Sequence, residues 1–567
     1  MDAKRQTMPM AALRPAQTVM RLARLGSFHQ CRLSFMRVLL RRLKREGWSF
    51  DRPRFEIDAR GVGTALYRAC GPKRSYSLVC FAHDLPPELR SDRVIAHAWD
   101  ATFALHDGEP APGDIERLGW NVPKQEAGRV TSGELTMSRA NRSVRLFEHV
   151  VESLAAGRQP DREQIETVGY LMRTTAVYGS GKFGAADHER IAGRPELAAP
   201  FQAEMLTVYL IRAFTVDLVE HLARARAPRT AIAIAPDLRR RLGVGNSTGL
   251  GLAPFIVNHP VLLNNWIAAR EVALARVRAL SRAAPDEIDS FRHVVARARR
   301  NAATWRSEHS LQIQKLTMLK ADLAHLDAHV AAGALHGDIP WDRLYAWAEA
   351  NLSLEGQEQL VSLMLEPHGP LVDDLADAMS ADEGAAFPID GAMRLDRLTA
   401  VVEQVYGWAL AIDWASPDAR ARVWYTSEEK LEPRLGERFE EPIEPYEQPM
   451  APGRDAAAMA RAIGEWTGDG TVAAFLLRHP EFRHIARRAQ IAARYPYAEI
   501  RDNTISAALL PTDLLRCKLA FFGATHFDPR SDRWVRINMF QNAPYPHELA
   551  DVAADDWSYP PPTGAQG

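Results

Sequence analysis

The chain has 567 residues, of which 46% are hydrophobic and 25% charged, an ordinary globular composition that is too long for one core. Acidic and basic residues nearly cancel, at a net charge of −1, so no global field favours nucleic acid or an anionic membrane. Four scattered cysteines exclude a disulfide framework, and no apolar run approaches the ~20 residues that cross a bilayer. We therefore expect a cytoplasmic protein with reduced cysteines and no membrane span.

The first 46 residues are rich in lysine and arginine, and Cys31, Phe35, Val38 and Leu39 can form an apolar stripe among them. A basic amphipathic helix is typical of a nucleic-acid arm, a membrane-surface helix, a transit peptide or a docking helix. We favour the docking helix, whose arginines would meet acidic groups elsewhere in the chain. The acidic stretch 428–447 is the candidate surface.

The next segment has the only β-like pattern near the N-terminus. Its apolar or alternating runs are Phe55–Asp58, Ala65–Arg68, Ser75–Ala82 and Val94–Leu105. Connections this short suit antiparallel hairpins, because a parallel crossover needs a dozen or more residues. We predict a small antiparallel β-sheet near residues 54–106.

From about residue 113 the apolar spacing becomes helical. Pro200–Ala225 is apolar on nearly every face, which indicates a helix buried among others. Further on, apolar residues alternate at spacings of three and four over 288–330, with Pro285 suited to a first helical turn and Gly333 to a helix end. This pattern predicts one continuous helix over 286–332, whose seam needs a partner helix from the same chain or from a second subunit.

These patterns predict a mainly α fold: a multi-helix bundle with a long central helix and a small antiparallel β-sheet. Proline and glutamate dominate 428–454, a composition that favours an extended linker. The predicted organisation is a basic N-terminal helical segment, a β subdomain, a helical core, an acidic linker and a mostly helical C-terminal region (1–50, 51–112, 113–427, 428–454 and 455–567).

Two glycine-rich polar stretches, Tyr178–Gly184 and Gly243–Gly251, are the best functional clue. Glycines can adopt positive φ and turn successive N–H groups inward, which makes an anion-binding nest. The alternative for each stretch is a helix end or a plain connector. Neither stretch has the spacing of a P-loop or of a dinucleotide fingerprint, and we expect no strand before the first.

Polar residues in and beside these stretches are the candidate site residues. The candidate substrate-binding residues are Arg173, Tyr178, Ser180, Asn246, Ser247, Thr248 and Asn258. The candidate catalytic residues are Lys182, His259 and His309, because imidazole titrates near neutrality and suits general acid–base work. The sequence thus favours a soluble enzyme that acts on a small carboxylate or phosphate by lyase- or isomerase-type chemistry, without a cofactor.

The remaining features favour other interpretations. His325 and His329 are spaced i, i+4 but lack the glutamate of a zinc motif, so no metal site is predicted. The stretch Tyr495–Asn542, which includes Arg516, holds many side chains that can orient a polar ligand or simply tether loops. The alternative to an enzyme is a non-catalytic helical scaffold that binds partners, or a second copy of itself, through the basic N-terminus and the long helix. Nucleic-acid binding is disfavoured by the neutral charge.

Overall fold

The computed structural model describes residues 11–89, 98–121, 131–179, 191, 193–249, 260–305, 307, 310–379, 388–416, 424–426, 434–435, 448–450, 452–501, 513–523, 528–529 and 534–552. The chain divides into two compact units. We call Met1–Leu33, Gly249–Phe521 and Asp528–Val535 the helical unit, and Ser34–Thr248, Phe522–Phe527 and Arg536–Gly567 the sheet unit.

The strands, numbered in chain order, are β1 (Ser49–Ile57), β2 (Gly63–Cys70), β3 (Ser75–Ala82), β4 (Ala101–Asp107), β5 (Glu134–Arg142), β6 (Tyr170–Gly179), β7 (Gly243–Gly249), β8 (Trp424–Thr426), β9 (Arg434–Leu435), β10 (Gln448–Met450), β11 (Asp528–Pro529) and β12 (Trp534–Met539).

The helices are α1 (Ala16–Val19), α2 (Leu22–Leu25), α3 (Phe35–Arg45), α4 (Pro112–Asn121), α5 (Phe147–Ala155), α6 (Arg162–Val168), α7 (Gln202–Arg226), α8 (Pro236–Arg240), α9 (Pro260–Arg278), α10 (Pro285–Thr304), α11 (Ser310–Ala331), α12 (Pro340–Asn351), α13 (Leu354–Met364), α14 (Gly369–Val372), α15 (Asp374–Ala378), α16 (Leu395–Leu410), α17 (Pro452–Gly464), α18 (Val472–Arg478), α19 (Arg483–Arg494) and α20 (Asp513–Phe522).

The sheet is much larger than the sequence indicated. Strands β1 to β7 are neighbours in chain order, β12 lies beside β7, and the two-residue β11 adds an edge. Eight of these strands form a curled, mixed half-barrel, while 56% of the protein is helical. The mainly α bundle with a small sheet near residues 54–106 was therefore wrong as a fold class, although its helical majority is real.

The predicted antiparallel hairpins are confirmed at the start of the sheet. Strand β3 spans the predicted Ser75–Ala82, and it pairs with β2 without a break from Gly63↔Ala82 to Cys70↔Ser75. The pattern continues antiparallel through β4, β5 and β6. The sequence missed β5 to β7 because their glycines and polar residues are depleted in strands generally.

Helix α7 packs against the sheet and forms the centre of the sheet unit. It is buried on nearly every face, as its composition predicted. The Phe214 ring contacts the rings of Tyr67 in β2 and Phe103 in β4, at centroid distances of 6.2 and 5.5 Å. A helix apolar all round therefore fills the concave side of a sheet here, instead of the centre of a bundle.

The predicted continuous helix over 286–332 is two helices, α10 and α11. Trp305, which follows α10, is extended at φ −69° and ψ 137°, and Lys320 of α11 donates a hydrogen bond to its carbonyl at 3.3 Å. The seam residues Phe291, Val295 and Leu319 are nonetheless fully buried within the helical unit. Because the two halves pack on each other and on α13, the seam is covered by this chain.

Helices α16, α17, α18 and α19 share a hydrophobic cluster of their own in the C-terminal part of the helical unit. Of the predicted linker 428–454, the described residues are those of the short strands β9 and β10, which form a three-stranded sheet with β8, together with 452–454, which open α17; the rest lies outside the described residues. Among the described residues, no helix is both long and apolar enough to cross a membrane.

Candidate functional site at the ends of two parallel strands

Both glycine-rich stretches begin in strands, and these strands are neighbours. Strands β6 and β7 are paired in parallel, with Arg173 opposite Gly245 and Thr174 opposite Asn246. Tyr178 and Gly179 are the last residues of β6, and Gly243–Gly249 is the whole of β7. The expectation that no strand precedes the first stretch was wrong. The carboxyl ends of β6 and β7 meet at one edge of the sheet.

Two glycines of β7, Gly243 and Gly245, allow close packing of neighbouring strands instead of forming a nest. Neither Gly243 nor Gly245 has positive φ, and a Cβ at Gly245 would lie 2.5 Å from the Tyr170 ring of β6. A Cβ at Gly243 would lie 2.6 Å from the carbonyl oxygen of Met539 in β12. These two positions require glycine because neighbouring strands leave no space for a side chain.

Helix α7 connects the two parallel strands in the chain, and it begins at the edge where they end. Thr207, in the second turn of α7, lies 2.5 Å from Thr136 of β5, oxygen to oxygen. Thr136 is paired with Gly179, the last residue of β6. The first turn of α7 therefore lies at the carboxyl edge of β6, as in the β-α-β units that bind anions at a helix N-terminus.

The N-terminus of α7 is buried but has no side-chain cap. Phe201, the residue before the helix, has a left-handed backbone at φ 59° and ψ 18°. Gln202 donates from Nε2 to the carbonyls of Phe35 and Pro200, both at 3.3 Å, while its buried Oε1 has no hydrogen-bond partner among the described residues. Glu204, in the same turn, is 3% exposed. A buried helix end is unusual unless hydrogen-bond acceptors pair with the free N–H groups of its first turn.

The candidate substrate-binding residues are only partly brought together. Asn246 Nδ2 donates to Thr174 Oγ1 at 3.4 Å, and Thr174 Oγ1 donates to the Gly245 carbonyl at 3.3 Å. Arg173 is buried at 4% exposure, but it points to the opposite face from Thr174 because successive strand residues alternate. Tyr178, Ser247 and Thr248 lie in the two strands, with side chains outside the described part.

The other candidates lie outside the described residues. These are Ser180, Lys182, Asn258, His259 and His309. Sequence reasoning did not select Thr136, Thr174, Gln202 or Thr207 for the site, because single polar residues in apolar runs carry no motif.

Arg212 fixes the start of β7. Its guanidinium, buried in α7, donates to the carbonyls of Leu242, Ala543 and Arg240 at 2.6, 2.7 and 3.1 Å, and lies 3.8 Å from the centre of the Tyr545 ring. Burial lowers the pKa of Arg212. The hydrogen-bond partners of this buried cation are thus backbone oxygens.

The helical unit holds the largest buried ionic cluster that the described residues form. Glu358 of α13 accepts hydrogen bonds from Arg14, Arg24 and Arg270, each at 2.6 Å. Arg14 also binds Glu271 at 2.6 and 2.7 Å. Burial raises the pKa of Glu358, but the arginines outweigh it and hold that pKa well below its usual range. The docking interpretation of the basic N-terminus thus has support from α9 and α13, while the stretch 428–447, apart from the backbone of 434–435, lies outside the described residues.

No family model, curated protein or solved structure matches the chain. Its function therefore has to be inferred from geometry.

The paired histidines of α11 contact a tryptophan. The His329 ring stacks on Trp347 of α12 at 3.9 Å between centroids, and His325 meets the same ring edge to face at 4.9 Å. Within the described residues, no group of three or more His, Cys, Asp or Glu is placed to hold a metal ion.

Proposed function

We propose that the protein is an enzyme that binds a small carboxylate or phosphate at the carboxyl ends of β6 and β7 and acts on it by acid–base chemistry. The N-terminus of α7 would bind the anion. Lys182 and His259, on the segments that follow the two strands, are the candidate acid–base residues. Lyase- or isomerase-type chemistry needs no more than such groups.

The parallel pairing of β6 and β7 carries this proposal. In sheets with a helix crossover, ligands bind outside the carboxyl ends of parallel strands, where the connecting segments diverge. In this sheet β6 and β7 are the parallel pair beside an antiparallel series. The two glycine-rich stretches that composition alone selected include the last residues of these strands.

The start of α7 supplies the electrostatic reason for an anion. A helix of 25 residues presents free N–H groups and a partial positive charge at its first turn. This first turn has no side-chain cap, and the buried Gln202 Oε1 can accept a hydrogen bond from a ligand hydroxyl.

The alternative scaffold function rests on the long heptad helix, the basic N-terminus and the acidic proline-rich linker. The described seam residues are buried within the helical unit, and Arg14 and Arg24 are paired with Glu358. Homo-oligomerisation through the long helix remains a prediction, but the covered seam no longer supplies a reason for it.

Thermal-shift measurements against inorganic phosphate, phosphate esters and short carboxylates test the proposal. We expect at least one anion to stabilise the protein, by about 2.7 kcal/mol at a hundredfold excess over its dissociation constant. Lys182→Ala and His259→Ala should reduce this stabilisation and leave the fold intact. Lys73→Ala, in the exposed β2–β3 turn, and His293→Ala, on the surface of α10, are matched controls.

Gln202→Glu tests the start of α7 directly. A carboxylate placed there would repel the anion, so the ligand-induced shift should disappear. Gln164→Glu, an exposed residue near the start of α6, should leave the shift unchanged. The proposal fails if no anion stabilises the protein, or if Lys182→Ala, His259→Ala and Gln202→Glu all retain the full shift.

A further inference from the structure

His29 lies in a buried cluster of the helical unit that the proposed function does not use. Its Nε2 lies 2.8 Å from Glu355 Oε1 of α13. Arg516 Nη2 lies 3.3 Å from the same nitrogen, but the contact with Glu355 is the shorter of the two. Because a carboxylate only accepts hydrogen bonds, we assign the proton to Nε2 and the lone pair to Nδ1. Nδ1 makes no hydrogen bond to any residue that the structure describes, and the residue is 8% exposed.

Glu355 is itself held in place. Arg516 of α20 binds both of its oxygens, with Nη1 2.8 Å from Oε2, and also donates to the Gly26 carbonyl at 2.7 Å. Burial raises the pKa of Glu355, but Arg516 and His29 outweigh it and lower that pKa to about 2. The carboxylate behind the imidazole is therefore ionised at every physiological pH.

The groups around His29 keep its ring neutral near neutrality. Burial lowers the pKa of His29 and Arg516 adds to this effect, while Glu355 and Glu358 oppose it. The backbone is fixed as well, because Ser362 Oγ donates to the His29 carbonyl at 3.1 Å. A neutral imidazole with a carboxylate on one nitrogen and a free lone pair on the other is the arrangement of a general base.

The break between α10 and α11 places an aromatic ring beside this imidazole. The Trp305 ring is tilted by 11° from the His29 ring, with centroids 6.5 Å apart. Trp305 is half-buried, and its extended backbone is what interrupts the long helix. The extended backbone at Trp305 thus accompanies the placement of its ring next to the His29 ring.

We propose that His29 is a proton-transfer residue, oriented by Glu355 and Arg516, for a planar substrate that stacks on Trp305. In the step, a hydroxyl, a thiol or a water gives its proton to Nδ1. The electron pair of the broken O–H or S–H bond stays on the oxygen or sulfur. Glu355 stabilises the imidazolium, which gives the same proton back from Nδ1 when that anion is reprotonated.

Modification by diethyl pyrocarbonate, mapped by peptide mass spectrometry, tests this role. The reagent needs an unprotonated, accessible imidazole nitrogen. Because burial lowers the pKa of His29, acidification from about pH 7 to about pH 6 should slow its modification less than that of the exposed His293. Glu355→Gln should slow the reaction of His29 and leave that of His293 unchanged.

A second measurement tests the ligand class. The planar acid 4-nitrophenol should protect His29 from the reagent, and Trp305→Leu should abolish this protection while His29 remains reactive. If His29 in the wild-type protein does not react, the proton-transfer role is overturned, because a purely structural histidine would behave in that way. If it reacts but 4-nitrophenol gives no protection, the stacking substrate is overturned. Neither result bears on anion binding at β6 and β7.

Discussion

Arg14, Arg24 and Arg270 in the helical unit share the carboxylates of Glu271 and Glu358, whereas Arg212 in the sheet unit is surrounded by backbone carbonyls. Both solutions satisfy buried guanidinium groups. The first depends on ionised partners and so on pH, while the second depends on the path of the main chain. Buried arginines therefore stabilise the helical unit through ion pairs and the sheet unit through hydrogen bonds to the main chain. Mutations and acid should affect the two units differently.

Glu358→Gln should have the largest effect. It leaves three buried guanidiniums without their shared negative charge, and breaking a buried ion pair from one side costs about 3–5 kcal/mol. Urea unfolding measures the loss. Asp374→Asn removes a 64% exposed partner of Arg276 and should cost less than about 1 kcal/mol. Equal losses in the two variants would contradict the importance of the buried cluster.

Arg212→Met should have the next largest effect. Methionine fills a similar space but donates nothing, so the carbonyls of Leu242 and Ala543 lose their donor, at about 1–3 kcal/mol. The loss should not vary with pH. Arg224→Met, with a 64% exposed side chain on the same helix, is the control. A loss in Arg212→Met that grows with acid would show that a carboxylate is involved after all.

Acid should weaken the helical unit first. The pKa of His29 is lowered from 6.5 and that of Glu355 from 4.5 to about 2, so both groups favour folding when deprotonated. Their contribution is fully present above the unfolded-state pKa values and is lost progressively as pH falls from those values towards the lower pKa values of the folded state. Hydrogen exchange from about pH 7 to about pH 4 should show α13 losing protection before α7. If α13 and α7 lost protection at the same pH, the two units would not differ in their sensitivity to acid.

Asn246→Ala should have the smallest effect. The side chain makes one long hydrogen bond to Thr174, and removing such a bond costs about 0.5–1.5 kcal/mol. Thermal unfolding is sufficient to measure it. A much larger cost would mean that Asn246 has a further partner in the folded protein.

Sequence patterns within a single segment correctly predicted the features that depend on that segment alone. The β2–β3 hairpin follows from its turn and its alternation, and the burial of α7 follows from an apolar composition on every face. The break at Trp305 did not, because the apolar spacing continues across it. The spacing reports which residues face the core, and it says nothing about whether the backbone between them is helical.

The candidate site depended on information that the sequence does not carry. The composition of 243–251 predicted that its glycines adopt positive φ in a nest. Gly245 is instead required because the Tyr170 ring, on a strand more than seventy residues earlier in the chain, leaves no space for a Cβ. The pairing of β6 with β7 joins segments on either side of α7. The cluster of His29, Glu355 and Arg516 joins three distant segments, none of which has a motif. Long-range partners of this kind leave no periodic signal.

Arg212 also has a consequence for how the protein is made. Two of its carbonyl partners, Ala543 and Pro544, follow it by 331 and 332 residues, and β12, which completes the sheet beside β7, is almost as distant. During synthesis the Arg212 guanidinium would have these acceptors only after Ala543 and Pro544 have been translated. Domains generally fold as units from the N-terminus onward, but this sheet has to be closed by residues that follow α7 by several hundred positions. A premature stop before β12 should therefore abolish the sheet unit, even though most of its residues would be present.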